Sequence, residues 1–459
     1  MASVKMAVWG VALLLVGCAD DAGEDEGGQA TGGTSSTGDV ATGDTAGEDG
    51  VDDDGPDSTS STGMPEDEGS DDEPSETGDT GDPPLPGEAP LEGYGTTSPF
   101  GERGETCVVT TLDDSGPGSL RDCIENRDTT DDNPTPRVVT FDVGGTIEPL
   151  TDIRIRQPFL TVDGLSAPDP GITIAKSGTG EDGEFIINTW SANATCGHDV
   201  LVQGIRFVGV WEGIDEMHSQ NAATIAIDGE DLPLCLHHVV LNRITVRGAQ
   251  DSGGDIWGSA RDVTVQYSAF LESLHPNTYS HFPGGVPDQQ RERFSNHHNL
   301  YGWIHERGPQ VRGDNRDMNF EQNIMHRWGD YGFGGGYAMR LRCRDAACPQ
   351  RINLIANHFT GAAANLETGL ILGEAAGDDP DGTTVEPQVY MADNWLPPEN
   401  LDAGTAASEF PRDPEADVTL FAPGDVVDSV LPNIGAPYRT AEEDALFAEV
   451  AAQIETDQG

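Results

Sequence analysis

One pattern recurs along most of this chain: a few alternating apolar residues, a polar corner, then a second apolar element. Copies are VLVQGIRF from Val200, VVLNRITV from Val239, VTVQYSAF from Val263, MNFEQNIM from Met318, INLIANHF from Ile352 and VYMADNWL from Val389. Alternation with period two marks a strand, because successive side chains on a strand point to opposite faces. Gly, Asn, Asp and Pro between the copies mark turns rather than helices. Self-similarity at long, irregular intervals marks a repeat architecture in which each unit buries its apolar face against its neighbours. Together these constraints predict an all-β fold, a single-stranded right-handed parallel β-helix with strands stacked rung on rung. A β-sandwich would also use many short strands, but at a tighter interval of about 8 to 12 residues.

Asn299, Asn323, Asn357 and Asn394 each stand just before the second apolar element of a copy. Stacked amides there would satisfy the polarity of a buried corner by hydrogen-bonding along the helix axis. Asparagine also favours turns on its own account, which is the plainer explanation.

The chain begins with a different kind of segment. Lys5 is the only charge before the apolar run Val11 to Val16, which ends in Leu15-Val16-Gly17-Cys18. The run is much shorter than the about 20 apolar residues of a transmembrane helix. A short apolar run closed by a small-residue cleavage site predicts a lipoprotein signal over 1–18, with Cys18 lipidated. An ordinary secretory signal that happens to contain a cysteine is the alternative. Residues 19–92 are rich in Gly, Asp, Glu, Thr, Ser and Pro and contain no Lys or Arg, so they predict a disordered, extended linker. The Asp-x-Asp-x-Asp-Gly spacing of a calcium loop is missing from it. The folded domain is then expected over 93–459, as a monomer outside the cell or at its envelope, touching a membrane only through the lipid.

Acidic residues outnumber basic ones 81 to 24, for a net charge of −57, which disfavours nucleic acid as a partner. Of seven cysteines, six remain after Cys18, in a compartment where disulfides persist. Proximity in sequence suggests Cys107 with Cys123, Cys196 with Cys235 and Cys343 with Cys348, although other connectivities are open. No Cys-x-x-Cys pair occurs.

Against this scarcity of cations, Arg307 and Arg312 flank Pro309 within HHNLYGWIHERGPQVR. A pair of planar guanidinium forks suits an acidic substrate, although two surface ion pairs would look the same in sequence. His237-His238 and His297-His298 suggest a metal, but neighbours on a strand point to opposite faces, so packing or groove roles are expected. Trp257 and Trp303 fit either sugar stacking or a buried rung.

Several segments in order carry a family likeness. VVTTLDDSGPGSLRDCI, RVVTFDVGGTI, FLTVDGLSAPDPGITI and DVLVQGIRF resemble the first rungs of pectate lyase-like proteins, which are right-handed parallel β-helices. DSGGDIWGSARDVTVQYSAF and HHNLYGWIHERGPQVR resemble that family's calcium-binding and catalytic strands, and VLPNIGAPYRTAEEDALFAEV its closing segment. The likeness runs from Cys107 to Val450. It implies β-elimination across an acidic polysaccharide, pectate, with Ca2+ as cofactor. Arg307 falls on the catalytic arginine, Arg312 on the arginine that holds the substrate carboxylate, and Asp251 and Asp255 on two acidic calcium ligands. Asn221 falls on a third ligand, where the family usually has Asp. Ala223 takes the place of a fourth and cannot ligate, and His275 stands where the family often has a substrate-binding lysine. Asp251 and Asp255 also fit the paired carboxylates of a glycoside hydrolase on the same fold, or plain turn residues. A surface module that binds polyuronate without cleaving it remains a third class.

Overall fold

The structure, a computed structural model, describes residues 89–102, 104–126, 135–176, 183–190, 195–209, 225–229, 235–249, 253–258, 260–273, 277–281, 293–313, 318–329, 336–342, 350–361, 371–374, 387–395, 401–402, 404–411 and 417–458. The chain divides into two compact units, 1–78 and 79–459, and the described residues all belong to the second. The signal, Cys18 and the linker as far as residue 88 lie outside them.

Each rung of the coil gives one strand to each of three sheets. Val200–Gln203 lies in sheet A, Ile205–Val208 in sheet B and Ile225–Gly229 in sheet C, after which His237–Asn242 returns to sheet A. Among the described residues the sheets contain eleven, eight and ten strands, and pairing is parallel except where the short strand Thr195–Cys196 runs antiparallel to Phe185–Trp190 at the side of sheet C. The fold is the right-handed parallel β-helix, the hand that parallel crossovers take almost without exception.

The repeats fold this way because their apolar positions fall in register. Leu160, Val200, Val239, Val263, Phe294, Met318, Ile352 and Val389 are partners on successive rungs of sheet A. All are buried, and each contributes about 1.5–3 kcal/mol by leaving water.

At the corner from sheet A to sheet B, one residue per rung turns left-handed: Arg243, Tyr267, His298, Gln322, Ala356 and Asp393 have φ of 46–57°. A non-glycine residue there costs on the order of 1–2 kcal/mol, and the next position offsets it. The N–H and side-chain amide of Asn299 both donate to Asn323 Oδ1 at 3.0 and 3.1 Å, and Asn323 does the same to Asn357 Oδ1 at 2.9 and 3.0 Å. Asn357 repeats this on Asn394 at 2.8 and 2.9 Å, while Ser268 N–H donates to Asn299 Oδ1 at 2.8 Å. The amide ladder expected from the sequence is present.

Alternation alone reveals no helix, yet the chain forms α1 (Leu120–Glu125), α2 (Val426–Ser429) and α3 (Ala441–Gln458). Helix α1 is capped by Ser119, buries Leu120, Cys123 and Ile124 in the main core, and is tied to the first strand by Cys107–Cys123. Cys196–Cys235 is the second disulfide; Cys343 and Cys348 lie outside the described residues.

Terminal segments seal two of the three outer faces. Phe100 packs on Leu201 and Val240 of sheet A, with Leu91 against them. Glu92 N–H donates to Gln266 Oε1 at 2.9 Å, and its carboxylate accepts from the N–H and hydroxyl of Thr419 at 3.0 and 2.6 Å. Residues 89–92, the last four of the expected linker, are therefore packed chain. On sheet B, Ala269, Leu271, Leu300, Trp303 and Ile324 meet Val426, Val430, Leu431, Ile434, Phe447, Val450 and Ile454. Trp303 is thereby a buried rung residue, while the side chain of Trp257 lies outside the described residues. The seal on sheet B is fixed by Arg206, whose Nε and Nη2 donate to both oxygens of buried Glu443 at 2.8 and 2.7 Å.

Candidate functional site

Sheet C is the remaining face, and among the described residues no apolar cluster lies on its outside. Its inner row, Ile155, Ile187, Ile227, Ile256, Val311 and Leu341, is buried in the core. The alternate row runs through Arg154, Ile186, Ala226, Asp255, Thr278, Gln310 and Arg340 in continuous register. Strands are about 4.8 Å apart, so Asp255 and Gln310, two rungs apart, are separated by about 10 Å. Position 312 follows two residues beyond Gln310 in the same strand, level with Ser280 and Arg342. Register thus places the expected metal ligand Asp255 and the expected substrate arginine Arg312 on one face.

Arg307 sits in the turn that leads into this strand, in left-handed conformation with φ 61°. Only 19% of its side chain is exposed, and its Nε lies 3.3 Å from Glu306 Oε1. Tyr337 and Arg340 complete the surroundings: Arg340 Nη1 donates to the Tyr337 hydroxyl at 3.1 Å. Burial, then the charge of Glu306, pushes the Tyr337 hydroxyl far above its usual range, so it stays neutral. Arg307 is therefore paired with Glu306, and its charge, with that of Arg340, is felt at the Tyr337 hydroxyl.

On the neighbouring rungs the polarity is acidic. Burial holds the Glu184 carboxyl up to about 8; Lys176, 3.9 Å away, pulls it down, and the charges of Asp152 and Asp255 push it further up. The Asp152 carboxylate is itself pinned by the N–H groups of Gly183 and Glu184 at 3.0 and 3.1 Å. Among the described residues the groups that bring three ligating side chains together do not include Asp152, Glu184 or Asp255. Glu184 is held neutral by burial and faces Lys176, so of these only Asp255 keeps its expected role as a calcium ligand.

Asn221, Ala223, Asp251 and His275 lie outside the described residues, as does the side chain of Arg312. Sequence reading missed Glu184, Lys176, Glu306, Tyr337 and Arg340. A signal existed for one: Met339-Arg340-Leu341-Arg342 alternates charge with apolar residues in a protein short of cations. Glu184 and Asp255 are brought together only by rung stacking.

The fold defines a parallel β-helix protein, with arginines and carboxylates among the residues on and beside sheet C. Its sequence is similar to probable pectate lyase C of Aspergillus terreus, 28% identical over 374 residues, covering 80% of this chain and 76% of that protein. Probable pectate lyase C of Aspergillus fumigatus is 30% identical over 285 residues, covering 62% of this chain and 56% of the relative. No family model matches the chain. Among solved structures, the cedar pollen allergen jun a 1 superposes with a TM-score of 0.54 at 12% identity, over 75% of this chain and 92% of its own. A thermostable pectate lyase gives 0.50 at 13% identity, over 76% and 98%. At these identities the structural likeness supports the fold. The sequence relatives are fungal and carry no support for lipidation at Cys18.

Proposed function

We propose that this protein is a polysaccharide lyase that cleaves pectate by calcium-assisted β-elimination. The observation that supports it is the strand register that sets Asp255 and position 312 in the same sheet, with Arg307 in the turn that leads into the strand of position 312. Two curated relatives named as pectate lyases support the same reading.

The C5 proton of a uronate is weakly acidic, and calcium bound at Asp255, with Asp251 and Asn221 as further expected ligands, would draw electron density from the uronate carboxylate and acidify it. Arg312 grips that carboxylate through its planar fork. Arg307, its guanidinium having first released a proton to solvent, takes the C5 proton; the C5–H pair becomes the C4–C5 double bond, and the C4–O bond breaks with its electrons leaving on oxygen, which is protonated from water. Tyr337 and Glu306 position Arg307. His275 is the expected further substrate contact. Export and lipid anchoring through Cys18 belong to this proposal on the strength of the N-terminal sequence alone.

A second reading has one specific observation in its favour. The Glu184 carboxyl, held up to about 8 by burial and raised further by the charge of Asp255, has the raised acidity range of a glycoside hydrolase's general acid. Incubation with polygalacturonate and calcium separates the two. Ultraviolet absorbance from unsaturated ends means lyase, reducing ends without absorbance mean hydrolase, and retention on pectin with neither means a binding module.

A further inference from the structure

A second cluster of ligating side chains lies at the entry to sheet A. The sequence repeats a Cys-x-His unit on two adjacent rungs, Cys196-Gly197-His198-Asp199 and Cys235-Leu236-His237-His238, and the two cysteines are bonded to each other. The staple fixes one rung on the next, so the His198 and His237 rings stack with centroids 4.6 Å apart and planes 23° off parallel.

Ordinary strand alternation would send His237 and His238 to opposite faces, and that expectation is wrong here. Asp199, His238 and Asp262 stand in line on three rungs and are all left-handed, with φ of 53–54°. The reversed twist swings His238 to the side of His237, and their Nδ1 atoms come within 2.7 Å. Asp199 reaches into the same spot: His198 Nδ1 is hydrogen-bonded to its Oδ2, His237 Nδ1 is 3.9 Å from Oδ2, and His238 Nδ1 is 4.0 Å from Oδ1. The ligating atoms of His198, Asp199 and His237 all lie within 4.8 Å of one another. Ligands of a tetrahedral zinc ion are about 3.3 Å apart, so shifts on the order of 1 Å would close the set.

We propose that His198, Asp199, His237 and His238 form a structural binding site for a divalent transition metal of the zinc class. Three imidazoles and one carboxylate are the donors such ions select, whereas calcium takes oxygen ligands. Four protein ligands leave no open position, so the ion reinforces the disulfide between two rungs and takes no part in catalysis. The side chains of His198, Asp199, His237 and His238 are 25%, 13%, 23% and 28% exposed, which leaves a path for the ion. Ser98 orients the carboxylate by donating to Asp199 Oδ1, and neighbouring Asp262 is occupied by Arg261 and Arg293.

The other double histidine provides the contrast. His297 and His298 share the same left-handed device, with Nδ1 atoms 2.8 Å apart. Both are fully buried, and their Nε2 atoms are used by the Glu92 carbonyl and Gln322 Oε1 at 3.2 and 3.0 Å. That pair is packing.

The test uses the full chain, stripped with chelator, desalted, and titrated calorimetrically with zinc chloride in saturating calcium. The expected result is one zinc per chain, with affinity at least about tenfold weaker in His237→Gln and in His198→Gln and unchanged in Asp255→Asn. Absence of saturable one-to-one binding, or an affinity in both histidine variants equal to that of the unsubstituted chain, overturns the site. Should the variants fail to fold, Co2+ added to the unsubstituted chain decides. Intense visible bands of tetrahedral nitrogen coordination support the proposal, and only the weak bands of the hydrated ion overturn it.

Discussion

The outer faces of sheets B and C are built on the same rungs and have opposite fates. On sheet B an apolar cluster on the outer face is covered by a C-terminal helix, and beneath it the ion pair of Arg206 with Glu443 is buried and bidentate. On sheet C the equivalent row is Arg154, Ile186, Ala226, Asp255, Thr278, Gln310 and Arg340, in which charged and polar positions are interspersed with apolar ones. Burial on one face supplies stability that lets the other keep carboxylates and guanidinium groups in a strained polar arrangement. Substitutions should therefore separate cleanly: sheet C changes alter turnover, and sheet B changes alter melting.

The largest effect is expected at Arg307. Lysine keeps the charge and loses the fork, so Arg307→Lys should lower turnover by about a hundredfold to ten-thousandfold, with an unchanged melting temperature and nearly unchanged oligogalacturonate binding. Unfolding of that variant would move Arg307 to the stability side of the comparison. Glu443→Ala should do the opposite. It strands a buried guanidinium at a cost of about 3–5 kcal/mol in denaturant titration, while turnover of the folded fraction stays at the parent value.

Starting the chain at Gly93 tests the third face. It removes Leu91 from its cluster and the bonds of Glu92 to Gln266 and Thr419, which should cost about 2–4 kcal/mol of stability, whereas a start at Ala89 should cost nothing measurable. Asp255→Ala should raise the calcium needed for half-maximal activity by about tenfold or more. Full activity in excess chelator would remove the metal from the proposal.

The smallest effect is one of acidity. Burial alone would raise the Glu443 carboxyl, but the hydrogen bonds from Arg206 and Thr440 hold it below its ordinary 4.5. A carboxylate lowered in the folded state lends stability that is present above about pH 4.5 and is lost as pH falls below it. Melting curves should show a component of acid destabilisation that is absent in Glu443→Gln.

The fold was legible because the apolar positions repeat in register, and the asparagines before each second element marked the corners. Two things were hidden. Helix α3 packs three apolar residues, Phe447, Val450 and Ile454, within a largely acidic and alanine-rich stretch, too sparse a stripe to stand out. The partners of Arg307 and Asp255 come from other rungs: Glu184 is far from Asp255 in sequence, and only the stacking order of strands makes them neighbours. Packing was the right expectation for His297 and His298, but the premise that each histidine pair points to opposite faces failed for a local reason, since one residue of each pair turns left-handed.

The asparagine ladder has a consequence for how the molecule breathes. The backbone N–H groups of Ser268, Asn299, Asn323 and Asn357 are each spent on a side chain of the next rung rather than on solvent or on their own turn. Release of any of these amides requires its rung to part from the neighbour that holds the acceptor, and the N–H groups of Asn299, Asn323 and Asn357 are themselves held by the rung after. Hydrogen exchange at the four should accordingly proceed at closely similar rates, set by the opening of several turns of the coil together.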